Sequence, residues 1–434
     1  MKQVLIIGFG KTGQAFYEHE KDQAIISLYD DRPIDFSEPY LPYDESLEYD
    51  YALISPGVSP THPVWQHCLA RQIPVYGEIE YASRELEGDV IGITGTNGKT
   101  TTTTLVFEML RRHHERTFLA GNIGFALLNY VPQTRPGDVY VTELSSFQLE
   151  TTERFTPRIA AITNLTPDHL QWHGTMADYI DAKFKIFQNM PDLRQVVINR
   201  DDPKLIEALV TRGYRPADFT GFSHEIALER GCWIEQASLM ARFDREEHIL
   251  PVSDIGLHGI HNLENCLCAV TIAKLAGVSN DDIRAVLREF TGIAHRYEVM
   301  GEKGERRFIN DSKATNPDST IPALKSITRP TVWIAGGMDK GSDFSAMFDY
   351  AKDKIEGLIL FGENKRLMEL AARGAGLSAI TLVDDLDQAF ALAIESSGPG
   401  YDILLSPASA SWDMYPNFEA RGEHFRQLVG AWHV

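Results

Sequence analysis

The sequence predicts an α/β protein with three domains. Its 434 residues exceed the length of one ordinary domain, since domains commonly have about 100 to 200 residues. Short apolar runs alternate with helical stretches along the chain, and this alternation starts afresh twice. We therefore predict domains over residues 1–87, 88–292 and 293–434.

Composition limits the classes of function. The formal net charge of −20 disfavours binding to nucleic acids and to anionic membranes, although local positive pockets could hold small anions. The four cysteines lack metal-ligand spacing and are too few for a disulfide scaffold. No apolar stretch has the length of a signal-peptide core or a membrane span. We expect a cytoplasmic protein without membrane insertion that acts on small molecules.

A glycine motif follows the first predicted strand. Gly8, Gly10 and Gly13 form G-x-G-x-x-G, and Asp30 ends the next strand about 20 residues later, as in dinucleotide-binding domains. The N-terminal domain is therefore predicted to be Rossmann-like, with strands over residues 4–7, 25–29 and 52–54. Taken alone, the motif indicates NAD, but the same geometry serves any diphosphate.

The second domain opens with a phosphate-binding loop. A predicted strand over residues 90–93 leads into Gly95-Thr96-Asn97-Gly98-Lys99-Thr100 and then a threonine-rich helix. Backbone N–H groups of such a loop wrap phosphate oxygens, the lysine neutralises terminal phosphates and the threonine ligates Mg²⁺. The loop is shorter than its commonest form, and the alternative is a glycine-rich turn with a solvated lysine. We predict a P-loop ATPase-like central domain with a mostly parallel sheet.

Further strands are predicted on both sides of the second domain boundary. In the central domain they span residues 139–142, 159–163 and 195–198, and the polar region 214–255 is predicted to form an excursion or a small antiparallel sheet. In the third domain, strands over 308–310, 332–335, 358–361 and 403–405 alternate with helices over 344–354 and 384–395. This pattern predicts a second Rossmann-like domain at the C-terminus.

Acidic and amide side chains follow the predicted central strands. Glu143 and Asp168 each come after a strand end, where open parallel sheets gather their ligands. Asn122 lies in Gly121-Asn122-Ile123-Gly124, and His169 follows Asp168. A histidine is a less usual Mg²⁺ ligand than an oxygen, so its position rather than its residue type makes His169 a candidate.

These motifs together resemble the Mur ligase family. The resemblance is carried, in the family's order, by Gly95–Thr100, Gly121–Gly124, Glu143–Leu149, His261-Asn262, His295-Arg296 and Asp311–Asn316, and towards the C-terminus by Ser406–Ser411 and Asn417–Glu419. It implies ATP-dependent formation of an amide bond through an acyl phosphate. The most similar type of member adds D-glutamate to UDP-N-acetylmuramoyl-L-alanine in peptidoglycan precursor synthesis.

The resemblance also implies roles for individual residues. Thr100 and Glu143 would hold one Mg²⁺, and His169 with a carbamylated Lys183 would hold a second, although Lys185 lies close to the same position. The implied catalytic set is Lys99, Asn122, Glu143, His169 and Lys183.

The implied ATP contacts are Gly95, Thr96, Asn97, Gly98, Lys99, Thr100, Thr101, Asn262, Arg296, Asp311 and Lys313. The implied contacts to the UDP-bearing substrate are Gly8, Phe9, Gly10, Lys11, Thr12, Gly13, Asp30, Arg32, Ser55, Asn122 and Ser145. The implied contacts to the amino acid are Thr315, Lys340, Ser411 and Phe418.

Three alternatives to this function stay open on the sequence. The chain could be a related ligase with another acceptor amino acid, although it lacks the Asp-Asn-Pro-Arg segment that reads diaminopimelate in one relative. It could be a regulatory module that hydrolyses ATP without ligation, or an NAD-linked oxidoreductase built on the Gly8 motif. We expect a monomer whose partners are small-molecule substrates.

Overall fold

The computed structural model describes residues 1–257, 259–338 and 342–433. The chain divides into two compact units, Met1–Thr291 and Gly292–Val434. Across the described residues, the first unit contains a five-stranded and a nine-stranded sheet, and the second unit contains a six-stranded sheet. The α/β fold class predicted from the sequence is confirmed. None of the described helices combines the length and hydropathy that a membrane crossing requires.

The first sheet is parallel and has the order β3-β2-β1-β4-β5. Its elements are β1 Lys2–Ile7, α1 Lys11–Glu20, β2 Ala24–Tyr29, β3 Leu41–Pro42, β4 Tyr51–Ile54, α2 Pro63–Ala70, β5 Val75–Gly77 and α3 Glu78–Ser83. Val4 and Ile6 face one hydrophobic core, whereas Leu5 and Ile7 face another. Burial on both faces explains why β1 is a continuous apolar run. Strand order reverses between β1 and β4, which places Gly8 at the switch point.

The nine-stranded sheet has the order β14-β13-β12-β11-β10-β9-β6-β8-β7. Its strands are β6 Asp89–Thr94, β7 Thr117–Gly121, β8 Val139–Glu143, β9 Ile159–Ile162, β10 Val196–Asn199, β11 Thr220–Ser223, β12 Gly231–Glu235, β13 Ser238–Arg242 and β14 Glu246–Pro251. The α-helices are α4 Lys99–His113, α5 Ser146–Glu150, α6 Leu170–His173, α7 Met176–Phe184, α8 Pro203–Thr211, α9 Ile260–Leu275 and α10 Asn280–Glu289, and 3₁₀ turns span Leu127–Gln133, Leu193–Gln195, Pro216–Asp218 and Val252–Asp254. Because β6 lies between β8 and β9, the carboxyl ends of these three strands are neighbours.

The region 214–255 corrects one expectation from the sequence. It is neither an excursion nor a separate sheet, because β11 pairs in parallel with β10 and β12 pairs in parallel with β11. Only β13 and β14 continue in antiparallel order. Phe222, Cys232 and Leu239 are buried in the same core as α9, so the region extends the central sheet. The mixture of glycine, polar and apolar residues in β11–β13 hides this continuity in the sequence.

Helix α3 joins the five-stranded sheet to the nine-stranded part of the same unit. The buried Glu80 carboxylate accepts hydrogen bonds from the N–H groups of Glu153, Arg154 and Phe155 at 2.9–3.0 Å. Glu78, which is also buried, accepts one from the N–H of Leu128 at 2.8 Å. Two buried carboxylates therefore replace the hydrogen bonds that these chain segments would otherwise make to water.

The second unit contains a sheet with the order β15-β16-β20-β17-β18-β19. Its elements are β15 Glu298–Lys303, β16 Arg306–Asn310, α11 Pro317–Lys325, β17 Thr331–Gly336, α12 Ser345–Phe348, β18 Ile355–Phe361, α13 Lys365–Gly374, β19 Ile380–Leu382, α14 Leu386–Glu395, β20 Asp402–Leu405 and α15 Phe418–Ala431. Only β15 is antiparallel to its neighbour. The carboxyl ends of β16, β20 and β17 therefore lie side by side.

The helix expected over residues 344–354 is wrong in length. Helix α12 ends at Phe348, and the chain continues in turns in which Tyr350 N–H donates to Met347 O and Lys354 N–H donates to Ala351 O. The Lys354 ammonium also donates to the carbonyl oxygen of Leu324. The burial of Met347, Phe348 and Ala351 gives the sequence a helical pattern, but turns achieve the same burial here.

Candidate active site

The loop over residues 95–100 connects β6 to α4 at the carboxyl edge of the central sheet. The Lys99 ammonium folds back over the loop and donates to the carbonyl oxygens of Gly95 at 3.0 Å and Thr96 at 2.8 Å. Thr100 is buried in the first helical turn, and Thr101 follows it half-buried. Backbone N–H groups at a helix N-terminus and an adjacent ammonium suit the binding of phosphate.

The second glycine of the loop leaves no space for a side chain. Gly98 caps α4 with φ of +80°, and a Cβ placed on it would lie 2.1 Å from Oδ1 of Asn265. Asn265, in the first turns of α9, is buried, and its Oδ1 also accepts a hydrogen bond from the Thr102 hydroxyl at 3.4 Å. Sequence reasoning did not select Asn265. Its contact with the phosphate loop becomes visible only when α9 is folded against α4.

The end of β9 supports the loop from the other side. Asn97 N–H donates to Oδ1 of Asn164 at 2.9 Å, and Asn164 Nδ2 donates back to the Asn97 carbonyl at 3.0 Å. The Thr163 hydroxyl donates to the same carbonyl at 2.6 Å. Asn164 and Thr163 were also missed in the sequence, although their position at the carboxyl end of a predicted strand is a signal that could have identified them.

Glu143 ends β8 with its carboxylate buried. One oxygen, Oε1, accepts a hydrogen bond from Nδ2 of Asn122 at 2.8 Å, and Asn122 N–H donates to the Glu143 carbonyl at 2.9 Å. The structure therefore brings these two candidates together. The second carboxylate oxygen, Oε2, is buried and has no hydrogen-bond partner among the described residues. Such an oxygen is costly to leave unpaired, and a hard cation such as Mg²⁺ fits it.

Lys183 and Lys185 have different environments. Lys183, on α7, is 1 % exposed, and its amine lies 2.8 Å from the Gly95 carbonyl oxygen. Burial, together with the nearby Lys99 charge, holds the pKa of the Lys183 amine well below its usual value, while Asp168 and Glu143 oppose this shift. Lys185 instead pairs with Glu150 at 2.8 Å. Only Lys183 therefore combines burial with contact to the phosphate loop.

His169 lies beyond the end of β9 and is about half exposed. Its φ of +52° is unusual for a residue with a side chain, and it precedes α6. Nε2 lies 3.3 Å from Asp168 Oδ2, and the ring centroid is 4.8 Å from that of Phe147. The contacts of the imidazole are thus with Asp168 and Phe147, and none joins it to Glu143 or Lys183 among the described residues.

Ser145 is the N-cap of α5 and follows Glu143 and Leu144. Its hydroxyl accepts a hydrogen bond from Gln148 N–H at 3.2 Å, and Gln148 Oε1 accepts from Ser145 N–H at 3.0 Å. This reciprocal pair is a capping box. Ser145 remains half-buried at the edge where the candidate phosphate and carboxylate groups gather.

The glycine motif of the first sheet forms a closed turn between β1 and α1. A Cβ on Gly13 would lie 2.3 Å from the Gly8 carbonyl oxygen, and the Ser55 hydroxyl donates to that oxygen at 2.6 Å. The Asp30 carboxylate accepts from Phe9 N–H at 2.7 Å and from Arg32 N–H at 2.9 Å. Burial acts to raise the pKa of Asp30, but these hydrogen bonds hold it below its usual value. Gly10, Lys11 and Thr12 complete the turn and begin the helix.

Both carboxylate oxygens of Asp30 therefore accept hydrogen bonds within the turn. Arg32 is exposed and lies 3.4 Å from the same carboxylate through Nε. Asp30 therefore orders the turn, and the exposed Arg32 guanidinium fits a nucleotide bound at the switch point between β1 and β4.

The second unit brings its own candidates together at the ends of β16 and β20. Asp311 is buried and accepts from the Ser406 hydroxyl at 2.7 Å and from Tyr297 N–H at 3.0 Å. Burial raises the pKa of this carboxyl to about 7, although both hydrogen bonds oppose the rise. Lys313 N–H donates to the His295 carbonyl at 2.9 Å, next to the half-buried Arg296.

The candidates for amino-acid binding lie at the same edge of that sheet. The Ser411 hydroxyl oxygen is buried and has no hydrogen-bond partner among the described residues. Phe418 begins α15, and its ring centroid is 5.8 Å from the Lys313 ammonium. Thr315 is half-buried in the segment before α11. Lys340 lies outside the described residues.

The remaining candidate for ATP binding is Asn262, in the first turn of α9. It is half-buried and belongs to the same unit as the phosphate loop. Its helix also carries Asn265, whose side chain lies beside Gly98 of the loop.

Comparison with known proteins identifies the family. The Mur ligase middle domain matches residues 93–273, and the Mur ligase glutamate ligase domain matches residues 295–409. A curated protein of Alkaliphilus oremlandii named UDP-N-acetylmuramoylalanine--D-glutamate ligase is 40 % identical over 99 % of this chain and 98 % of its own length. The chain belongs to the Mur ligase family. Proteins of the same name from Pelotomaculum thermopropionicum and Bacillus thuringiensis are 39 % and 43 % identical over 99 % and 89 % of this chain, and over 97 % and 84 % of their own lengths.

Solved structures share the three-domain Mur ligase fold. UDP-N-acetylmuramate-alanine ligase MurC from Thermotoga maritima matches with a TM-score of 0.56 at 18 % identity, over 99 % of this chain and 100 % of that one. The MurF ligase of the same organism, solved in complex with ADP, gives a TM-score of 0.56 at 18 % identity, over 98 % of this chain and 93 % of that one. At this identity the likeness concerns the fold alone. In this Mur ligase the phosphate loop, Glu143 and Lys183 meet within one unit.

Proposed function

We propose that this Mur ligase joins D-glutamate to UDP-N-acetylmuramoyl-L-alanine with consumption of ATP, releasing ADP and phosphate. The observation that carries the proposal is identity of about 40 % over 99 % of the chain to relatives that bear this activity in their names. The reaction belongs to peptidoglycan precursor synthesis. An NAD-linked oxidoreductase and a regulatory ATPase have no comparable support, so the ligase is the one function that we carry forward.

The phosphate loop is the proposed site of the ATP triphosphate. Residues Gly95 to Thr100 would surround the phosphates, with the N–H donors coming from Gly98 onward because those of Thr96 and Asn97 already donate to Asn164. Lys99 would turn from the loop carbonyls towards the γ-phosphate. Thr101 continues this helix start. Asn262 would contact the adenine, while Arg296, Asp311 and Lys313 would contribute from the second unit. Preorganised donors of this kind supply much of the catalysis of phosphoryl transfer.

Two Mg²⁺ ions are part of the proposal. Thr100 and Glu143 would hold one, which fits the unpaired and buried Oε2 of Glu143, and His169 with Lys183 would hold the second. When bound, Mg²⁺ neutralises phosphate charge during transfer. Asn122 would keep Glu143 oriented through its 2.8 Å hydrogen bond.

Lys183 is proposed to act as a carbamate. The neutral amine attacks the carbon of CO₂, a C–N bond forms and one proton leaves to solvent. Burial of Lys183 favours the neutral amine that this step requires, because desolvation disfavours the ammonium. The resulting carboxylate would be a hard oxygen ligand in place of a cationic side chain.

The substrate carboxylate is then activated without a protein nucleophile. The terminal carboxylate of UDP-N-acetylmuramoyl-L-alanine attacks the γ-phosphorus, a C–O–P linkage forms and ADP leaves. The amine of D-glutamate attacks the acyl carbon, phosphate leaves and an amide remains after loss of a proton. The chain's own groups bind and orient the reactants and stabilise charge.

The UDP end of the substrate is proposed to bind the first sheet. The turn formed by Gly8, Phe9, Gly10, Lys11, Thr12 and Gly13 would hold the diphosphate, with Asp30, Arg32 and Ser55 towards the uridine. Asn122 and Ser145 would meet the sugar-peptide end. Both groups of residues lie at the carboxyl edges of parallel sheets, where ligands of this kind bind.

D-Glutamate is proposed to bind the second unit. The buried and unpaired Ser411 hydroxyl would donate to a substrate carboxylate, beside Thr315, Phe418 and Lys340. We further propose domains over 1–87, 88–292 and 293–434 and a monomeric enzyme. Since ATP and nucleotide sugars are cytoplasmic metabolites, the reaction would take place in the cytoplasm.

The test is ADP release by the purified chain with ATP, Mg²⁺ and UDP-N-acetylmuramoyl-L-alanine. D-Glutamate is compared with L-glutamate, D-alanine and no amino acid, and the product mass is determined. Release only with D-glutamate, with a product of matching mass, is the expected result. ADP release with another amino acid would mean that the chain is a ligase of this family with a different acceptor amino acid. Substrate-independent ATP hydrolysis, or an absorbance change with NADH alone, would overturn the proposal.

A further inference from the structure

Three potential metal ligands converge at a place that the proposed ligase reaction does not use. Asp201 follows β10, His224 follows β11 and Glu264 lies in the first turns of α9. His224 Nδ1 lies 2.9 Å from Asp201 Oδ2 and 3.5 Å from Glu264 Oε1, and the three ligand atoms lie within 4.8 Å of one another. Strand order and helix packing bring these residues together from three separate chain segments.

The cluster is held in place before any ion binds. Asp201 is 4 % exposed at its side chain, and it accepts hydrogen bonds from the Ser223 hydroxyl at 2.5 Å and from His224 N–H at 2.7 Å. His224 and Glu264 are about four-fifths buried. Ligands that are fixed by their own hydrogen bonds give a metal site its geometry.

The two carboxylates of the cluster have no lysine or arginine partner among the described residues. Within the part of the chain that the structure describes, neither Asp201 nor Glu264 forms an ion pair with lysine or arginine, and their only partners of possible positive charge are His224 and His261. A bound cation would compensate the two carboxylates, which have no lysine or arginine to do so.

The central nitrogen of the cluster also lacks a partner. His224 Nδ1 is a buried atom without a hydrogen bond of adequate geometry, although it lies between two carboxylates. A lone pair directed at a shared cation satisfies this atom and both carboxylates at once. The unpaired nitrogen indicates a cation independently of the two carboxylates that lack a lysine or arginine partner.

We propose that Asp201, His224 and Glu264 bind a divalent transition-metal cation, with Zn²⁺ as the best match. Bonds of about 2.0–2.2 Å from a tetrahedral Zn²⁺ place ligand atoms about 3.3 Å apart, close to the 2.9 and 3.5 Å found here. One nitrogen with two carboxylates suits Zn²⁺ or Mn²⁺ better than Mg²⁺. His261, whose Nδ1 is 3.8 Å from Glu264 Oε2, is exposed and able to supply a further ligand.

The cation would connect the sheet to the helix that supports the phosphate loop. Glu264 immediately precedes Asn265, whose side chain fills the space beside Gly98. A metal that joins the ends of β10 and β11 to Glu264 would fix the start of α9 and thereby Asn265. Its ligands are separate from Thr100, Glu143 and Lys183, so the site is structural and distinct from the proposed Mg²⁺ sites.

The experiment measures Zn²⁺ binding to the full chain without nucleotide, by competition with a chromophoric chelator after EDTA treatment and removal of the EDTA. We expect one tight equivalent in the wild type and at least a tenfold weaker affinity in His224→Ala, because ligand loss is costly. His248→Ala removes an exposed histidine outside the cluster and is the matched control. Glu143→Gln, which alters the proposed Mg²⁺ site, should retain the equivalent.

Thermal unfolding with and without Zn²⁺ distinguishes loss of metal binding from misfolding of the variant. His224→Ala keeps its backbone hydrogen bond to Asp201, so the variant should still unfold cooperatively without metal. Zn²⁺ should raise the melting temperature of the wild type and of His248→Ala but not of His224→Ala. The proposal is overturned if the wild type binds no equivalent of Zn²⁺ or Mn²⁺, or if His224→Ala binds Zn²⁺ as tightly. An elevated imidazole pKa of His224 without metal binding would identify a closed ion-pair cluster instead.

Discussion

The amine of Lys183 lies 2.8 Å from the carbonyl oxygen of Gly95, and both residues are buried. This contact joins helix α7 to the first residue of the phosphate loop. A lysine that is 1 % exposed, without a carboxylate at hydrogen-bond distance in the described residues, is costly to keep charged. The relationship therefore makes Lys183 a candidate for chemistry at the amine rather than a surface cation.

Lys183→Ala should lower kcat by about 10²- to 10³-fold, because a proposed ligand of the second Mg²⁺ would be lost. Lys185→Ala is the matched control, since Lys185 lies two residues away in an ion pair with Glu150. It should retain nearly full activity. The wild type in ¹³CO₂ should also show a carbamate carbon resonance that Lys183→Ala lacks. Equal activity of the two variants would remove Lys183 from the site.

Gly98→Ala should reduce ATP turnover by about 10²-fold or more, because the new Cβ would lie 2.1 Å from Asn265 Oδ1 and displace the loop. The φ of +80° adds backbone strain to this clash. Gly137→Ala separates the two effects, since Gly137 has φ of +89° with nothing within 4 Å of the added Cβ.

Gly137→Ala should therefore lose stability of about 1 kcal/mol but keep its KM for ATP. The measurement is steady-state kinetics beside thermal unfolding of both variants. If Gly98→Ala and Gly137→Ala differed only in stability, the contact with Asn265 would have no role in ATP binding.

Strand positions were predictable because the buried strands of a parallel sheet are short apolar runs. Val4–Ile7 and Ile403–Leu405 lie within observed strands, and the phosphate loop follows β6 as predicted. The region 214–255 was not predictable, because β11–β13 mix glycine, polar and apolar residues instead of forming apolar runs. Phe222, Cys232 and Leu239 nevertheless pack in the same core as α9. Sequence spacing does not reveal which sheet a strand joins.

The residues of the candidate active site likewise fall into those that the sequence predicts and those that it does not. Gly98, Lys99 and Thr100 carry a local signal, since their chemistry needs adjacent residues. Asn265 carries none, because 167 positions of chain separate it from Gly98 and only packing of α9 on α4 brings it near. The burial of Lys183, and not its motif, separates it from Lys185.

Ser411→Ala should raise the KM for D-glutamate about 10- to 100-fold and leave the KM for ATP unchanged. The hydroxyl is buried without a partner, and a hydrogen bond to a charged carboxylate contributes about 1.5–3 kcal/mol. Ser326→Ala, in an exposed turn of the same unit, is the control. An unchanged KM for D-glutamate in Ser411→Ala would move the amino-acid site away from this residue.

Glu143→Gln should raise the Mg²⁺ concentration required for half-maximal activity and lower kcat by about 10²-fold or more, because the unpaired Oε2 loses its charge. The remaining oxygen can still accept from Asn122, so the fold should persist. Removal of Mg²⁺ by a chelator should abolish activity in the wild type. Glu150→Gln, whose carboxylate pairs with Lys185, should keep the Mg²⁺ dependence of the wild type. An unaltered Mg²⁺ requirement in Glu143→Gln would exclude this carboxylate as a ligand.

Stability of the first unit should depend on Glu78. Burial raises the pKa of its carboxyl from 4.5 to about 7, although the N–H groups of Leu128 and Leu127 oppose the rise. The folded state therefore binds this proton more tightly than the unfolded state does. The contribution to stability is fully present below pH 4.5 and is lost as the pH rises through 7.

Glu78→Gln should remove this loss, which is on the order of 3 kcal/mol because one pKa unit corresponds to about 1.4 kcal/mol. The amide keeps an oxygen for the Leu128 N–H and carries no charge at any pH. Urea unfolding of wild type and variant between pH 5 and pH 8 should show the variant gaining relative stability as the pH rises. Glu207→Gln, at an exposed position of the same unit, should follow the wild type. Parallel curves for wild type and Glu78→Gln would mean that Glu78 remains ionised throughout, held by its backbone hydrogen bonds.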